Sequence, residues 1–159
     1  MDVLILLGSS SDLEIAKGCA ELLKEFSINY KMVIASAHRT PELVDKNVED
    51  AEKAGAKVII AMAGMAAHLP GVIASKTTIP VIGVPLSSKN TGGLDALYSI
   101  VQMPTGYPVA TVAIDGAKNA ALLAVQMLAT SGEDSLQKAI ANYRKKMKDA
   151  VTKANKELF

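Results

Sequence analysis

The sequence has no tryptophan and a single cysteine, and only 4% of its 159 residues are aromatic. Because a disulfide needs two cysteines, the lone Cys19 excludes an intrachain disulfide framework and gives no sign of an oxidising compartment. Lysine and arginine number 17 against 16 acidic residues, a net charge of +1. The chain therefore lacks the basic surplus typical of proteins that bind nucleic acid or anionic membranes, and we expect neither partner.

Long apolar runs and cofactor fingerprints are missing as well. The run at residues 3–7, "VLILL", is too short to cross a bilayer, and Asp2 stands where a secretory signal has basic residues, so we predict a cytoplasmic protein. The loop after this run lacks the further glycines of a dinucleotide-binding turn and the lysine of a P-loop. Two histidines without a second cysteine or clustered carboxylates fall short of a zinc set. We expect no cofactor and no metal.

What the chain does have is aliphatic material, since 50% of its residues are hydrophobic. Five short apolar runs are each followed by a helical pattern: "VLILL", "YKMVIA", "KVIIAMA", "PVIGVP" and "VATVAI". Strands that alternate with helices predict an α/β fold, a three-layer, doubly wound parallel sheet of about five strands with right-handed crossovers. We expect the common flavodoxin-like strand order and one domain over residues 1–159.

The C-terminal part adds two helices with different surfaces. The segment "NAALLAVQMLA" is apolar nearly all round, so it must be covered. Residues 134–157 predict an extra, charged C-terminal helix with one apolar stripe. In a chain of this size the cover is either ordinary core packing or a neighbouring subunit, and we favour subunit contacts.

Three loops follow the first three predicted strands: "GSSSD", "SAHRTP" and "AGMAAHLPG". Open parallel sheets bind ligands outside the carboxyl ends of their strands, where the strand order reverses. With the flavodoxin-like order, His38, His68 and the serine cluster would surround one crevice. The alternative is local, because polar residues before Pro41 also serve as a helix cap.

The residue types in these loops favour a phosphorylated small molecule. Ser9 and Ser11 present hydroxyls at a helix N-terminus, where free amides and the helix dipole attract phosphate, although serines there are also ordinary caps. Arg39 adds a planar fork suited to phosphate, and Asp12 could cap the helix or bind ribose hydroxyls. His38 would bring a proton that titrates near neutral pH, as a general acid or base requires.

The motifs together resemble a known family. "GSSSD", "SAHRTPE", "AAHLPG", "PVIGVP" and "LDALYSIVQMPTGYPVATVAI" occur in the order found in the PurE family, specifically its class I N5-carboxyaminoimidazole ribonucleotide mutases. The resemblance covers nearly the whole chain, from about residue 3 to residue 128. It implies an isomerase of purine biosynthesis that shifts a carboxylate from an exocyclic nitrogen to carbon 4 of an aminoimidazole ribonucleotide by decarboxylation and recarboxylation, without a cofactor.

The resemblance also assigns roles to residues. It makes His38 the general acid and base and His68 a neighbouring pocket residue. It implies a homo-octamer with active sites shared between neighbours. The positions that match the family's substrate contacts are Ser9, Ser11, Ser36 and Arg39, largely for the phosphate, Asp12 for the ribose, and Ala63, Gly64 and Leu69 for the carboxylate or carbon dioxide.

One departure and two alternatives qualify this interpretation. Many family members have glycine where this chain has Met62 and Met65. Two methionines would narrow or reshape the wall of the pocket that holds the carboxylate or carbon dioxide. A class II type carboxylase that uses carbon dioxide directly is the first alternative, although that branch lacks "AAHLPG". The second is a ribonucleotide-binding module without catalysis.

Overall fold

The computed structural model describes residues 1–132 and 134–158. Glu133 and Phe159, which belong to the predicted domain, lie outside the described residues. The strands are β1 (Val3–Leu7), β2 (Tyr30–Ile34), β3 (Val58–Gly64), β4 (Val81–Leu86) and β5 (Ala110–Thr111). The helices are α1 (Leu13–Glu25), α2 (Pro41–Lys53), α3 (Leu69–Ala74), α4 (Leu94–Val101), α5 (Ala117–Ala129) and α6 (Asp134–Lys156).

The five strands form one parallel sheet in the order β2-β1-β3-β4-β5. This is the predicted flavodoxin-like order, and helices cover both faces as expected. β1 lies between β2 and β3, and every one of its side chains is fully buried. The strand needs no polar alternation because both faces are dry. Val3, Ile5 and Leu7 face the core under α1 and α5, whereas Leu4 and Leu6 face the core under α2, α3 and α4.

β5 is much shorter than its apolar run predicted. The six-residue run "VATVAI" forms only a two-residue strand, Ala110–Thr111, paired with Ile82 and Gly83 of β4. It is an edge strand with one neighbour, and Pro108, two residues before its start, has no N–H to donate to a ladder. The pairing therefore begins late and stays short.

The cover on α5 comes from the same chain. Seven of its residues are buried, in a core shared with α1 and with Leu136 of α6. Core packing within the chain thus covers one face of α5, and the expected contacts with a neighbouring subunit stay a prediction. The apolar stripe of α6 is buried only in part within this chain, since Leu136 is buried but Met147 and Val151 are 56% and 66% exposed. Within the described ranges, no helix combines the length and apolar character needed to cross a membrane.

Candidate active site

A cavity of about 600 Å³ opens at the carboxyl ends of β1, β3 and β4. It lies where the strand order reverses, between β1 and β3. All ten residues predicted for the site line it: Ser9, Ser11, Asp12, Ser36, His38, Arg39, Ala63, Gly64, His68 and Leu69. The topology brings these residues together, because the loops after three strands open at one edge of the sheet.

A larger cavity of about 760 Å³ lies at the opposite edge, where β4 and β5 begin. Its lining includes Lys76, Thr77 and Tyr107 but neither histidine. The chemistry therefore favours the smaller cavity, which contains both histidines and an arginine.

The first loop is a capped turn that leads into α1. Ser9 caps a short 3-10 turn at residues 10–12: the Ser11 N–H donates to Ser9 Oγ at 3.4 Å, and the Ser9 N–H donates to Asp12 Oδ2 at 2.9 Å. This turn is the reason that α1 begins at Leu13 rather than directly after the serines. The predicted capping and the predicted ligand-facing position coexist, because Ser9, Ser11 and Asp12 also line the cavity.

The environment of Asp12 works against its charge. Partial burial raises the pKa of this carboxyl above its ordinary value, and hydrogen bonds from the Ser11 hydroxyl and the Ser9 N–H, with the positive Arg39 nearby, partly offset the rise. Ser11 Oγ lies 3.1 Å from Asp12 Oδ1. Asp12 is thus a hydrogen-bond acceptor held in place in the lining of the cavity.

The second loop fixes an arginine against the first. Arg39 Nη2 donates to the Gly8 carbonyl at 3.0 Å, and Arg39 Nε lies 3.4 Å from Ser36 Oγ. The loop is closed by bonds at its base, since the Ser36 N–H donates to Thr40 Oγ1 at 2.9 Å and the Thr40 N–H to the Ser36 carbonyl at 2.9 Å. The guanidinium is therefore positioned by two loops and keeps other N–H donors for a ligand.

The two histidines touch. His38 Nε2 lies 2.8 Å from His68 Nδ1, and the ring centroids are 4.9 Å apart with the planes at 81°. At this distance one proton lies between the two nitrogens, so one ring donates and the other accepts. His38 comes from the loop after β2 and His68 from the loop after β3, so the contact joins loops 30 residues apart in sequence.

The two methionines of the third loop differ in position. Met62 is fully buried in the core under α1 and α5, and it does not line the cavity. Met65 lines the cavity, is 62% exposed, and has a φ of 54°. The expectation that both methionines reshape the wall is therefore wrong for Met62, because strand alternation turns its side chain into the core.

The structure adds a fourth loop that the sequence reasoning missed. Leu86, Ser87 and Ser88, at and after the end of β4, line the same cavity, and the Ser87 N–H donates to Asp115 Oδ1 at 2.9 Å. The signal was present, since "LSSKNTGG" is a polar, glycine-containing loop after a buried strand. Over residues 1–132 and 134–158, no group of three histidine, cysteine or acidic residues is arranged to hold a metal ion.

The sequence and the fold are both similar to those of known proteins. The sequence profile of the family described as AIR carboxylase matches residues 2–150. The N5-carboxyaminoimidazole ribonucleotide mutase of Pyrococcus horikoshii is 54% identical over 154 residues, covering 97% of this chain and 86% of that protein. That of Methanocaldococcus jannaschii is 52% identical over 160 residues, covering 99% of each. The crystal structure of Treponema denticola PurE matches with a TM-score of 0.88 and 32% identity, covering 98% of this chain and 97% of that one.

Proposed function

Because the chain belongs to the AIR carboxylase family, we propose that its cavity catalyses the reaction for which its relatives are named. The protein is an isomerase of purine biosynthesis, an N5-carboxyaminoimidazole ribonucleotide mutase. It moves a carboxylate from the exocyclic nitrogen of the ribonucleotide to carbon 4 of the imidazole ring. The observation that carries the proposal is the contact between His38 and His68 in a cavity that Arg39 and the serines also line.

His38 carries the proton. In the first step the bond between nitrogen and the carboxylate carbon breaks, carbon dioxide leaves, and the nitrogen takes a proton from His38. In the second step carbon 4 attacks the carbon dioxide, and His38 removes the proton from carbon 4. The proton count balances over the two steps, so one residue serves as acid and then as base. No group outside the cavity is required.

The polar end of the cavity binds the phosphate and ribose. Arg39 is charged and oriented by two loops, Ser9 and Ser11 lie at the start of α1, and Ser36 joins them from the second loop. Asp12 accepts hydrogen bonds and suits the ribose hydroxyls. A phosphate fixed there holds the imidazole ring toward the histidines, so the reacting atoms meet in one orientation.

The apolar end holds the carbon dioxide. Ala63, Gly64 and Leu69 form a wall of small or buried residues beside His68. Carbon dioxide carries no charge and offers a weak handle, so a compact apolar wall that excludes water suits it. His68 contacts His38 and acts through it rather than on the substrate.

The quaternary structure and location belong to the same proposal. The whole chain acts as one catalytic domain in a cytoplasmic homo-octamer with shared sites, α6 packing on a neighbouring subunit. Exposed apolar side chains support self-association: Leu94, Tyr98 and Val101 of α4 are 51%, 60% and 47% exposed at a spacing that places them on one helix face. A Tyr98→Asp variant then yields smaller particles by light scattering, and an unchanged particle mass contradicts this interface.

The matching family is described as AIR carboxylase, so a carboxylase is the second candidate function. An enzyme of that type takes the unmodified aminoimidazole ribonucleotide, and its rate rises with dissolved carbon dioxide. The test supplies each ribonucleotide separately to the purified protein, with and without bicarbonate. Efficient turnover of the N5-carboxy compound without bicarbonate supports the mutase, whereas efficient turnover of the unmodified compound only with bicarbonate identifies a carboxylase.

A variant at His38 separates catalysis from binding. His38→Asn keeps a polar side chain, shorter than that of histidine, which carries no titratable proton. We expect ribonucleotide binding, measured by calorimetry, to persist while turnover is lost. Binding by the native protein with no turnover of either ribonucleotide would instead leave a binding module.

A further inference from the structure

Met65 has a backbone conformation that its residue type rarely adopts. Among the described residues, three non-glycine positions have positive φ, namely Ser27, Asp115 and Met65. Serine and aspartate occur often in turns, because their short polar side chains bond to the nearby backbone. Methionine gains no such local bond, so its φ of 54° is imposed by the surrounding loop.

The loop after Met65 folds back tightly. The Ala67 N–H donates to the Met65 carbonyl at 2.8 Å, and the His68 N–H donates to the Ala66 carbonyl at 2.8 Å. These two short-range bonds carry the chain from the end of β3 to His68. The conformation of Met65 therefore serves two ends: it starts the turn that presents His68, and it directs a long side chain to the cavity.

The side chain of Met65 differs from the rest of the apolar wall. Leu69, Leu86 and Ala63 are 2%, 3% and 7% exposed, so their side chains are packed in place. Met65 is 62% exposed and lines the same cavity. It is unbranched with three rotatable side-chain bonds, so it can move over a small molecule that the packed residues cannot follow.

We propose that Met65 is a retention residue, an apolar cover that keeps the released carbon dioxide against carbon 4 until recapture. The inference rests on the proposed mutase reaction and adds a determinant of its outcome. Once the bond from nitrogen to the carboxylate carbon has broken, the intermediate has two fates. Carbon 4 attacks the carbon dioxide and loses its proton to His38, or the gas escapes and the unmodified ribonucleotide leaves. Met65 favours the first fate by closing the exposed side of the wall.

Polarity and size make distinct predictions at this position. Met65→Gly removes the side chain and fits the positive φ, so the turn that presents His68 is preserved. Met65→Leu and Met65→Gln form a matched pair of similar size that differ in polarity. A cover for carbon dioxide must be apolar, so leucine retains the function, whereas glutamine brings water to the intermediate.

The experiment measures how the intermediate partitions. The N5-carboxy ribonucleotide, labelled with carbon-13 in its carboxylate, is mixed with excess enzyme, and carbonic anhydrase converts escaped gas to bicarbonate. Mass spectrometry then gives the ratio of unmodified ribonucleotide to labelled product. A sample without enzyme gives the background of spontaneous carbamate decarboxylation, and the ratio for each variant is taken at enzyme excesses where it no longer changes, so that it reports the folded protein. It therefore distinguishes loss of retention from loss of structure.

We expect the native protein to give mostly labelled product. Loss of the local capture should raise the escape ratio by about tenfold or more in Met65→Gly and Met65→Gln, with Met65→Leu close to the native value. Equal ratios in the native protein, Met65→Gly and Met65→Gln overturn the role of Met65 while leaving the mutase intact. A native protein that converts none of the labelled substrate overturns the proposed function instead, so the two failures are distinguishable.

Discussion

The hydrogen bond between His38 and His68 predicts a specific pattern of coupling between two substitutions. The contact joins two exposed rings at 2.8 Å, and a hydrogen bond of this kind contributes about 0.5–1.5 kcal/mol. If His68 only orients His38, this energy is what His68→Asn removes from the transition state, which is a loss of about two- to tenfold in rate. Removal of the acid and base itself in His38→Asn costs about 10²- to 10⁴-fold.

Single-turnover rates for the native protein, the two single variants and the double variant test this pattern. When His68 acts through His38, the substitution at residue 68 has no further effect once residue 38 is asparagine, so the double variant matches His38→Asn. Multiplied losses in the double variant would show that His68 acts on the substrate independently. A loss in His68→Asn as large as that in His38→Asn would refute the positioning role outright.

Three further predictions follow from charge and burial. Arg39→Lys keeps the positive charge but loses the planar guanidinium fork, and Arg39→Ala loses both. We expect KM to rise in both variants, by about 10- to 100-fold in the alanine variant, with kcat less affected. An unchanged KM would remove Arg39 from the phosphate site. Because burial raises the pKa of Asp12 from 3.8, the folded protein holds that proton more tightly than the unfolded chain, and its contribution to the free energy of unfolding falls as pH rises through this range. The free energy of unfolding in urea, measured between pH 3.5 and 6, within about a unit or two of that value, should fall less with rising pH in Asp12→Asn than in the native protein. Identical pH dependence in the two proteins would contradict the shift. Burial raises the pKa of the Cys19 thiol to about 12, so the native protein at pH 8, well below it, should react with a disulfide reagent only on unfolding, and rapid native labelling would contradict the burial.

The strand order and the membership of the site could be predicted because they depend on simple patterns. Five apolar runs that alternate with helices leave few topologies for a parallel sheet, and the loops after the strands must meet at its carboxyl edge. His38 and His68 were expected in one crevice on that ground alone, and the cavity contains both. The 2.8 Å contact between them could not be predicted, because it depends on the conformations of two loops.

The sequence was less informative where local residues do not determine which way a side chain points or which element packs against a helix. Met62 and Met65 are three residues apart in one motif, yet one lies on a buried strand and the other follows it with positive φ. The sequence could not show which of the two faced the cavity. α5 needed cover as predicted, and its packing on α1 and α6 depends on tertiary contacts that the apolar pattern alone does not specify.

The most direct test of the mutase assignment is conversion of unlabelled N5-carboxyaminoimidazole ribonucleotide by the purified native protein, in buffer that contains a metal chelator and isotopically labelled bicarbonate. The reaction described here predicts 4-carboxy product that forms rapidly and contains almost none of the medium label, because the carboxylate is moved within one cavity. Product that carries the label in proportion to the bicarbonate in the medium, or no product at all, would contradict it.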